Sequence, residues 1–307
     1  MMNDHAGLLV VGSVAFDHVR TPLGEAPESL GGAATYFSVA ASILYRPVRL
    51  VGVVGKDFPE DVVKMLESRG IDCSGLSKVE GKTFRWKGYY EGDMNAAVTE
   101  ETHLNVFGSF RPDLPENLRN PDYLFLANID PEIQLDVLRQ VRRPRTVAAD
   151  TMNFWISSKL DALKKLIAEV DILVLNEGEA VQLTSHTNLF AAARDVLAMG
   201  PRVVVIKKGG NGAMIVNRDH IGLVPAFPLE KVIDPTGAGD SFGGGLMASL
   251  ARDGCDHMDF LALRKAAAYG SVIASFNCES FSMDRMRRLT VTDVDERFDR
   301  LRYFASF

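Results

Sequence analysis

Apolar runs of strand length recur along the chain, and stretches with helical periodicity separate them. The runs are continuously apolar and do not alternate with polar residues, which is typical of parallel strands buried on both faces of a sheet. They begin at Leu8, Val48, Tyr123, Arg145, Asp171 and Arg202, and the first extends to Phe16. This order of strands and helices predicts an α/β fold with a mostly parallel central sheet covered by helices on both faces.

Helix signals lie between these runs. The segment DFPEDVVKMLESRG has Asp57 as a candidate N-terminal cap and Gly70 as a candidate C-terminal residue. The segments DPEIQLDVLRQ from Asp130 and SSKLDALKKLIAEV from Ser157 repeat the pattern. Each is long enough to cross back over a sheet between two parallel strands.

Two segments interrupt the alternation. Residues 18–30 are rich in proline, glycine and acidic residues, and residues 82–108 alternate aromatic and polar residues over a length that a simple connection does not need. The second segment is predicted to contain strands and to lie as a small β lid over the ligand-binding edge of the sheet. Since no internal repeat or long linker is present, residues 1–307 are predicted to form a single domain with these lid segments.

Composition and charge narrow the classes of partner. The 307 residues are 47% hydrophobic and 24% charged, as in an ordinary globular protein. The formal net charge of −6 argues against nucleic acid or an anionic membrane surface as a partner. No apolar run is long enough to span a bilayer, and the N-terminal MMNDHAG has no basic segment of a secretion signal, so a cytoplasmic location is predicted.

Cysteine and histidine spacing predicts neither a disulfide framework nor a dedicated metal site. Cys73, Cys255 and Cys278 are far apart and odd in number, and the six histidines contain no HExxH pair. A metal ion is therefore expected only together with a substrate.

The most informative stretch is KVIDPTGAGDSFGGGLMASLAR, residues 231–252. Pro235 stiffens the approach, and Gly237 and Gly239 permit backbone conformations that other residues rarely adopt. A glycine-rich turn that enters a helix directs successive backbone N–H groups to one point, in front of the positive end of the helix dipole. We predict an anion hole formed by the backbone of Gly237, Ala238 and Gly239.

Asp240 follows this turn directly. A carboxylate beside an anion site is repulsive if it only fills space, whereas it is useful as a general base that deprotonates a hydroxyl next to a transferring phosphoryl group. Asp240 is therefore the predicted catalytic base, with an acidic residue capping a packed helix as the alternative.

The segment DPTGAGDSF resembles the C-terminal motif of the PfkB, or ribokinase-like, carbohydrate and nucleoside kinases. GSVAFDHV, with Asp17, and LGGAATYFSVAAS, with Gly31 and Gly32, resemble the acceptor-binding motifs of the same family and occur in the same order. The resemblance implies a ribokinase-like three-layer α/β/α sandwich and ATP as the phosphoryl donor. It places Asp17, Gly31 and Gly32 at the acceptor, together with Tyr36, which stands where the family often has asparagine.

Two further motifs resemble the nucleotide side of the family's site. LNEGEA places Asn176 and Glu179 in the NxxE spacing, which implies that both hold Mg²⁺ near the triphosphate. VVVIKKGGNGA resembles the family's G-x-x-G turn, with Lys207 or Lys208 as phosphate contacts, although solvated charges at the end of a strand explain the lysines equally well. The implied contacts to ATP are Asn176, Lys207, Gly209, Gly212 and Asn277.

The family also has a loop for a monovalent cation. Here that loop would involve Asp234 and the backbone of residues 275–279. This stretch reads ASFNCES, where many relatives have a glycine near the position of Cys278. A monovalent cation is therefore an open option and not a firm prediction.

Aromatic and amide residues of the second lid segment and of the central strands fit a pocket for a ring-bearing substrate, and a packed lid and core would explain them equally well. They are Trp86, Tyr89, Met94, Asn95, Phe107, Asn128 and residues 152–155. Asn95 and Asn153 are the predicted substrate contacts in this set, because apolar packing gives no reason for their amides.

The sequence therefore predicts an ATP-dependent kinase that phosphorylates a hydroxyl, preferentially a primary one, of a small sugar. A nucleoside or an inositol is the alternative acceptor, and a ligand-binding protein without catalytic activity is the alternative of a different class. The intact GAGD segment argues against the latter. The apolar content of residues 82–108 is compatible with a homodimer formed through the lid and with a monomer whose lid covers itself.

Overall fold

A computed structural model describes residues 7–306 of the chain. Residues 1–6, which hold most of the N-terminal segment considered above, and residue 307 lie outside the described residues. In chain order the strands are β1 Leu8–Val11, β2 Ala15–Thr21, β3 Gly24–Gly31, β4 Val48–Gly55, β5 Ile71–Val79, β6 Phe84–Tyr89, β7 Val98–His103, β8 Tyr123–Leu126, β9 Thr146–Asp150, β10 Ile172–Asn176, β11 Val203–Lys207, β12 Ala213–Asn217 and β13 Ile221–Val224. The α-helices are α1 Ala33–Leu44, α2 Glu60–Ser68, α3 Pro131–Gln140, α4 Asn153–Ser158, α5 Leu160–Ile167, α6 Glu177–Thr184, α7 Leu189–Ala198, α8 Ala238–Asp253, α9 Phe260–Asn277 and α10 Val291–Phe304.

The large sheet has nine strands in the order β13-β12-β11-β10-β9-β8-β1-β4-β5. The strands from β11 to β5 in this order are parallel. At the other edge, β12 pairs antiparallel with both β11 and β13. All six apolar runs contribute a strand, which confirms the predicted mostly parallel sheet. The first run is not one strand: β1 ends at Val11 and β2 begins at Ala15 in a different sheet.

Alternate residues of the buried strands face two separate apolar layers, as a three-layer sandwich requires. Leu8 and Val10 face the layer that contains α1, α8 and α9, whereas Leu9 and Val11 face the layer that contains α3, α5 and α7. All four side chains are fully buried. The predicted α/β/α architecture is thus confirmed.

Two of the predicted helices differ from their sequence signals. The helix α2 begins at Glu60 after Pro59, so Asp57 is not its cap. Instead the Asp57 carboxylate accepts hydrogen bonds from the Thr83 backbone N–H at 2.8 Å and the Thr83 hydroxyl at 2.7 Å, which joins the end of β4 to the start of β6. The segment predicted as one helix from Ser157 is divided between α4 and α5.

The two segments that interrupt the sequence pattern contribute to a second sheet of four strands in the order β3-β2-β6-β7. β2 pairs antiparallel with β3 and parallel with β6, and β6 pairs antiparallel with β7. The parallel pairing sets Asp17 of β2 beside Trp86 of β6. Within residues 7–306, none of the helices has the length and apolar character needed to cross a lipid bilayer.

Candidate active site

Asp17 of β2 is held against the paired glycines at the end of β3. Its side chain is buried, and a Cβ atom on Gly31 would lie only 2.0 Å from Asp17 Oδ2. Gly32 precedes α1 with φ +93°, and a Cβ there would lie 2.5 Å from the Ser13 carbonyl oxygen. Both positions therefore require glycine, and together they bring a carboxylate to the start of α1.

Asp17 shares its surroundings with two other acids. Burial, together with the nearby charges of Asp234 and Asp240, raises the pKa of Asp17 to about 7. Burial also raises the pKa of Asp234, against the hydrogen bonds that its carboxylate accepts. The structure thus brings together Asp17, which is predicted to bind the acceptor substrate, and Asp240, the predicted catalytic base.

Tyr36 of α1 packs its ring on the turn that precedes α8. Gly237 has φ +73°, and a Cβ atom there would lie 2.3 Å from ring atoms of Tyr36. The Tyr36 hydroxyl is buried and has no hydrogen-bond partner among the described residues. Burial and the neighbouring charge of Asp17 raise the pKa of Tyr36 well above its usual value. Tyr36 is therefore placed between the predicted acceptor site and the glycine-rich turn.

Asn277, a predicted contact to ATP, instead supports this turn from inside the protein. Its side chain is fully buried; Nδ2 donates to the Thr236 carbonyl oxygen at 2.8 Å, and Oδ1 accepts from the Ser241 hydroxyl at 3.2 Å. Both ends of the amide are thus hydrogen-bonded to residues that flank the glycine-rich turn before α8. Asn277 thus stabilises the turn in this structure, and its predicted contact to ATP stays a prediction.

One amide of the predicted anion hole is also used within the protein. The Ala238 N–H donates to the Pro235 carbonyl oxygen at 3.1 Å and closes the turn before α8. Gly239 faces a cation instead, because a Cβ on Gly239 would lie 3.0 Å from Lys207 Nζ. The positive end of α8 and the ammonium group of Lys207 therefore meet at Gly239.

Lys207 lies at the end of β11 in a mostly buried ion pair. Its Nζ is 3.0 Å from Oδ2 of Asp150 at the end of β9, and the side chains are 17% and 5% exposed. Burial by itself lowers the pKa of Lys207, but the charges of Asp150, Glu179 and Asp240 outweigh burial and raise it above the usual value. Asp150 was missed from the sequence, although a carboxylate at the carboxyl end of a parallel strand is a signal for a ligand site.

Asn176 and Glu179, the predicted magnesium residues, form the N-terminal cap of α6. Asn176 Oδ1 accepts from the Glu179 N–H at 2.8 Å, Glu179 Oε2 accepts from the Asn176 N–H at 2.7 Å, and Asn176 Nδ2 donates to Glu179 Oε1 at 2.7 Å. The NxxE spacing is thus also the spacing of a capping box. This cap fixes the Glu179 carboxylate at the carboxyl edge of the sheet.

The cluster around Lys207 holds more acidic than basic side chains. Burial raises the pKa of Glu179 to about 7, with Lys207 opposing and Asp150 adding to the effect. Burial likewise raises the pKa of Asp240 to about 7, with Asp150 adding and Lys207 opposing. Oxygen donors with excess negative charge are the donor set that Mg²⁺ prefers. Within residues 7–306, no three acidic, histidine or cysteine side chains are grouped as a metal site.

Four other predicted residues are placed as follows. Gly209 and Gly212 shape the turn after β11 with φ of +51° and +83°, and a Cβ on Gly209 would lie 2.6 Å from Asn95 Oδ1. Asn95 is thus beside the predicted nucleotide turn. Asn153 of α4 donates from Nδ2 to Gln182 Oε1 on α6 at 2.7 Å. The roles of Asn95 and Asn153 as substrate contacts stay predictions.

Direct hydrogen bonds hold the loop that the resemblance assigned to a monovalent cation. The Asp234 carboxylate accepts from the N–H groups of Thr236 at 2.9 Å and Ser282 at 3.3 Å. The Ile233 N–H donates to the Cys278 carbonyl oxygen at 2.8 Å. Burial, with Asp234 and Glu279 adding to it, raises the pKa of the Cys278 thiol to about 12, so this side chain is present as the neutral thiol.

The chain is similar to known kinases in both sequence and structure. The family model of the pfkB family carbohydrate kinases matches residues 6–286. The chain is 30% identical to the cytidine kinase of Thermococcus kodakarensis over 80% of this chain and 88% of that protein. The nucleoside kinase structure of Methanocaldococcus jannaschii has a TM-score of 0.76 at 22% identity, covering 95% of this chain and 98% of that chain. A putative ribokinase II from E. coli in complex with ATP and Mg²⁺ has a TM-score of 0.76 at 20% identity, covering 96% and 99%.

Proposed function

Since the chain belongs to the pfkB family of carbohydrate kinases, we propose that it transfers the γ-phosphoryl group of ATP to a hydroxyl of a sugar or a nucleoside, with Asp240 as the general base. The observation that carries this proposal is the position of Asp240 between two clusters. Its charge acts on Asp17 on one side and on Lys207 and Glu179 on the other. A base in this position can take the proton of a bound hydroxyl while the hydroxyl oxygen forms a bond to the γ-phosphorus of ATP. The bond from that phosphorus to the β-phosphate oxygen breaks, and ADP leaves on the Lys207 side.

On the acceptor side, Asp17 would accept hydrogen bonds from hydroxyl groups, and this would fix which hydroxyl faces Asp240. Burial makes such bonds stronger than in water, since few water molecules compete for the carboxylate. The unpartnered Tyr36 hydroxyl lies in the same region and would gain a partner from the acceptor. Precise positioning of this kind accounts for much of the rate enhancement in phosphoryl transfer, because the transition state is stabilised mainly by alignment of the reacting groups and by neutralisation of charge.

On the phosphate side, Lys207 and the amino end of α8 would bind the transferring group and the β-phosphate. Asp150 would keep the Lys207 ammonium group at Gly239 through the 3.0 Å ion pair. Glu179, aligned by Asn176, would hold Mg²⁺ and its water ligands, and the ion would neutralise charge on the phosphates when bound. The small sheet is proposed to act as the lid that excludes water during transfer.

The proposal is tested by measuring ADP release in the presence of ATP and Mg²⁺ with pentoses, hexoses, inositols and nucleosides. We expect acceptor-dependent release with at least one sugar or nucleoside. ATP hydrolysis at the same rate with and without every acceptor would contradict the proposal. Mass spectrometry of the phosphorylated product then identifies the acceptor and the position that carries the phosphate.

Glu179→Gln is expected to raise the Mg²⁺ concentration needed for half-maximal activity by about 10-fold or more, since groups around a metal ion typically contribute this much to affinity. Glutamine keeps one acceptor oxygen for the cap but removes the negative charge. The measurement is a titration of the initial rate with Mg²⁺ at saturating ATP and acceptor.

Asp293→Asn is the matched control for this titration. Thr290 and Asp293 form the same kind of capping box at the start of α10, with the Asp293 carboxylate accepting from the Thr290 N–H at 2.9 Å. Both variants lose a charge from a helix cap, but only Glu179 lies beside Lys207. An equal Mg²⁺ dependence in the two variants would show that Glu179 only caps its helix.

A further inference from the structure

One face of the small sheet is turned toward the loop that carries the catalytic turn. Residues paired in register on β2 and β6 share a face, and every second residue along each strand lies on that face. The Thr236 hydroxyl donates to the Tyr90 hydroxyl at 3.3 Å, so the inner face, the one that includes Tyr90, points to the loop before α8. The inner-face positions of the two strands are Ala15, Asp17, Val19, Thr21, Phe84, Trp86 and Gly88.

Trp86 lies on this inner face directly beside Asp17 in the strand register. A Cβ on Gly88 would lie 2.3 Å from Trp86 Cζ2, so the missing side chain of Gly88 makes room for the indole ring. The indole N–H donates to the Thr99 hydroxyl at 3.1 Å. The polar atom of Trp86 is therefore occupied, and its ring is only partly buried. The exposed part of the Trp86 ring therefore offers a ligand a flat apolar surface next to the Asp17 carboxylate.

The charges of the small sheet are divided between its two faces. No inner-face position of β2 or β6 is cationic, whereas Arg20, Arg85 and Lys87 lie on the outer face. Each of these cations has an acidic partner: Arg20 pairs with Glu100 at 3.2 Å, Arg85 pairs with Asp57 at 3.0 Å, and Lys87 lies 3.4 Å from Glu100. The acceptor side of the site thus combines the acids Asp17, Asp234 and Asp240 with an aromatic ring.

From this juxtaposition we propose that the acceptor is an uncharged nucleoside whose ribose hydroxyls bind Asp17 and whose base stacks on Trp86. This inference rests on the proposed kinase function and names its substrate class. A sugar phosphate is disfavoured, because its charge would meet carboxylates and no cation on the inner face. A free sugar binds more weakly than a nucleoside, because it leaves the Trp86 ring without a partner.

Binding to Trp86 can be measured directly, because the chain has only two tryptophans, Trp86 and Trp155. Trp155 donates to Asn128 Oδ1 at 3.0 Å and belongs to α4, outside the acceptor cluster. In the Trp155→Phe variant, Trp86 is the remaining fluorophore. We expect saturable quenching by adenosine or cytidine, with excitation at the red edge of the tryptophan band, and no saturable change with ribose or ribose 1-phosphate. Saturable quenching by ribose 1-phosphate, or none by any nucleoside, would overturn the proposal.

Kinetics of Trp86→Leu provide the second test. We expect KM for the nucleoside to rise about 10-fold, in line with the energy of base stacking on an aromatic ring. Trp86→Phe keeps a ring and should restore most of the affinity. An unchanged nucleoside KM in Trp86→Leu would overturn the inference.

The two hypotheses fail in different ways. Wild-type protein that phosphorylates ribose or ribose 1-phosphate at least as efficiently as every nucleoside contradicts the nucleoside inference and leaves the kinase function standing. Absence of acceptor-dependent ADP release from the wild type contradicts the kinase function itself. A Trp86 emission spectrum that changes with protein concentration before any ligand is added would show that a second copy of the chain covers the ring, and this also overturns the inference.

Discussion

Asp240→Asn should lower kcat by a factor of about 10² to 10⁴, because general-base assistance typically contributes a factor of this size. The variant should retain the fold and ATP binding. Asparagine has the shape of aspartate but cannot accept the proton of the acceptor hydroxyl. The measurement is kcat with the best acceptor from the ADP-release panel, together with the affinity for ATP measured by calorimetry. Near-normal turnover would contradict the role of Asp240 as the base.

The same substitution should make the ligand-free protein more stable at alkaline pH. The pKa of Asp240 is about 7 in the folded protein and 3.8 as its reference value, so folding favours the protonated carboxyl. Its contribution to stability is fully present below about pH 4 and is lost as pH rises through 7. The neutral asparagine removes this loss, and the melting temperature at pH 8 should rise by about 2 °C or more, with a smaller difference toward pH 4.

Asp161→Asn is a suitable control for both measurements. Asp161 also lies in the first turn of a helix, α5, but is exposed to solvent. Its substitution should leave turnover unchanged and should not stabilise the protein at pH 8. A gain in stability that is equal in the two variants would mean that burial of Asp240 among other carboxylates is not the cause.

Gly237→Ala should reduce kcat/KM by about 10² or more, since displacement of reacting groups by about 1 Å can have this effect. The added Cβ would lie 2.3 Å from the ring of Tyr36, and Tyr36 is only 2% exposed. The buried ring has little room to move, so the turn and the Asp240 that follows it must shift. The measurement is kcat/KM beside the free energy of unfolding.

Gly254→Ala separates this collision from backbone strain. Gly237 and Gly254 flank the same helix, α8, with φ of +73° and +65°, so alanine is strained at both positions by about 1–2 kcal/mol. No heavy atom lies within 4 Å of a Cβ at Gly254. Gly254→Ala should therefore lose stability but keep its activity. Equal losses of activity in both variants would show that the contact between Gly237 and Tyr36 does not position the catalytic turn.

Features that depend on neighbours in the sequence were predictable. Parallel strands buried on both faces need continuous apolar runs, and all six runs contain strands of the large sheet. The turn before α8 depends on the local freedom of Gly237 and on the helix that follows, and both are visible in GAGDSFGGG. The NxxE segment is also a local feature of the sequence. Its spacing was interpreted only as a magnesium motif, although the same spacing forms a capping box at the start of α6.

Roles that depend on distant partners could not be predicted. Asp57 resembles a helix cap until the fold places Thr83 and Arg85 beside it, and Asn277 resembles a free amide until α9 brings it under Thr236. Lys207 was predicted as a phosphate contact without its partner Asp150, which is separated from it by 57 positions in the sequence.

The sequence by itself determined the class of fold and the order of the motifs, because periodicity, glycine conformations and helix ends are local properties of a chain. The tertiary structure decided which charges share one buried volume. It placed Asp17, Asp234 and Asp240 together, gave Lys207 its ion pair and set Trp86 beside Asp17. The physical reason is that burial and charge interactions depend on distances through space, and only the packed strands and helices set those distances.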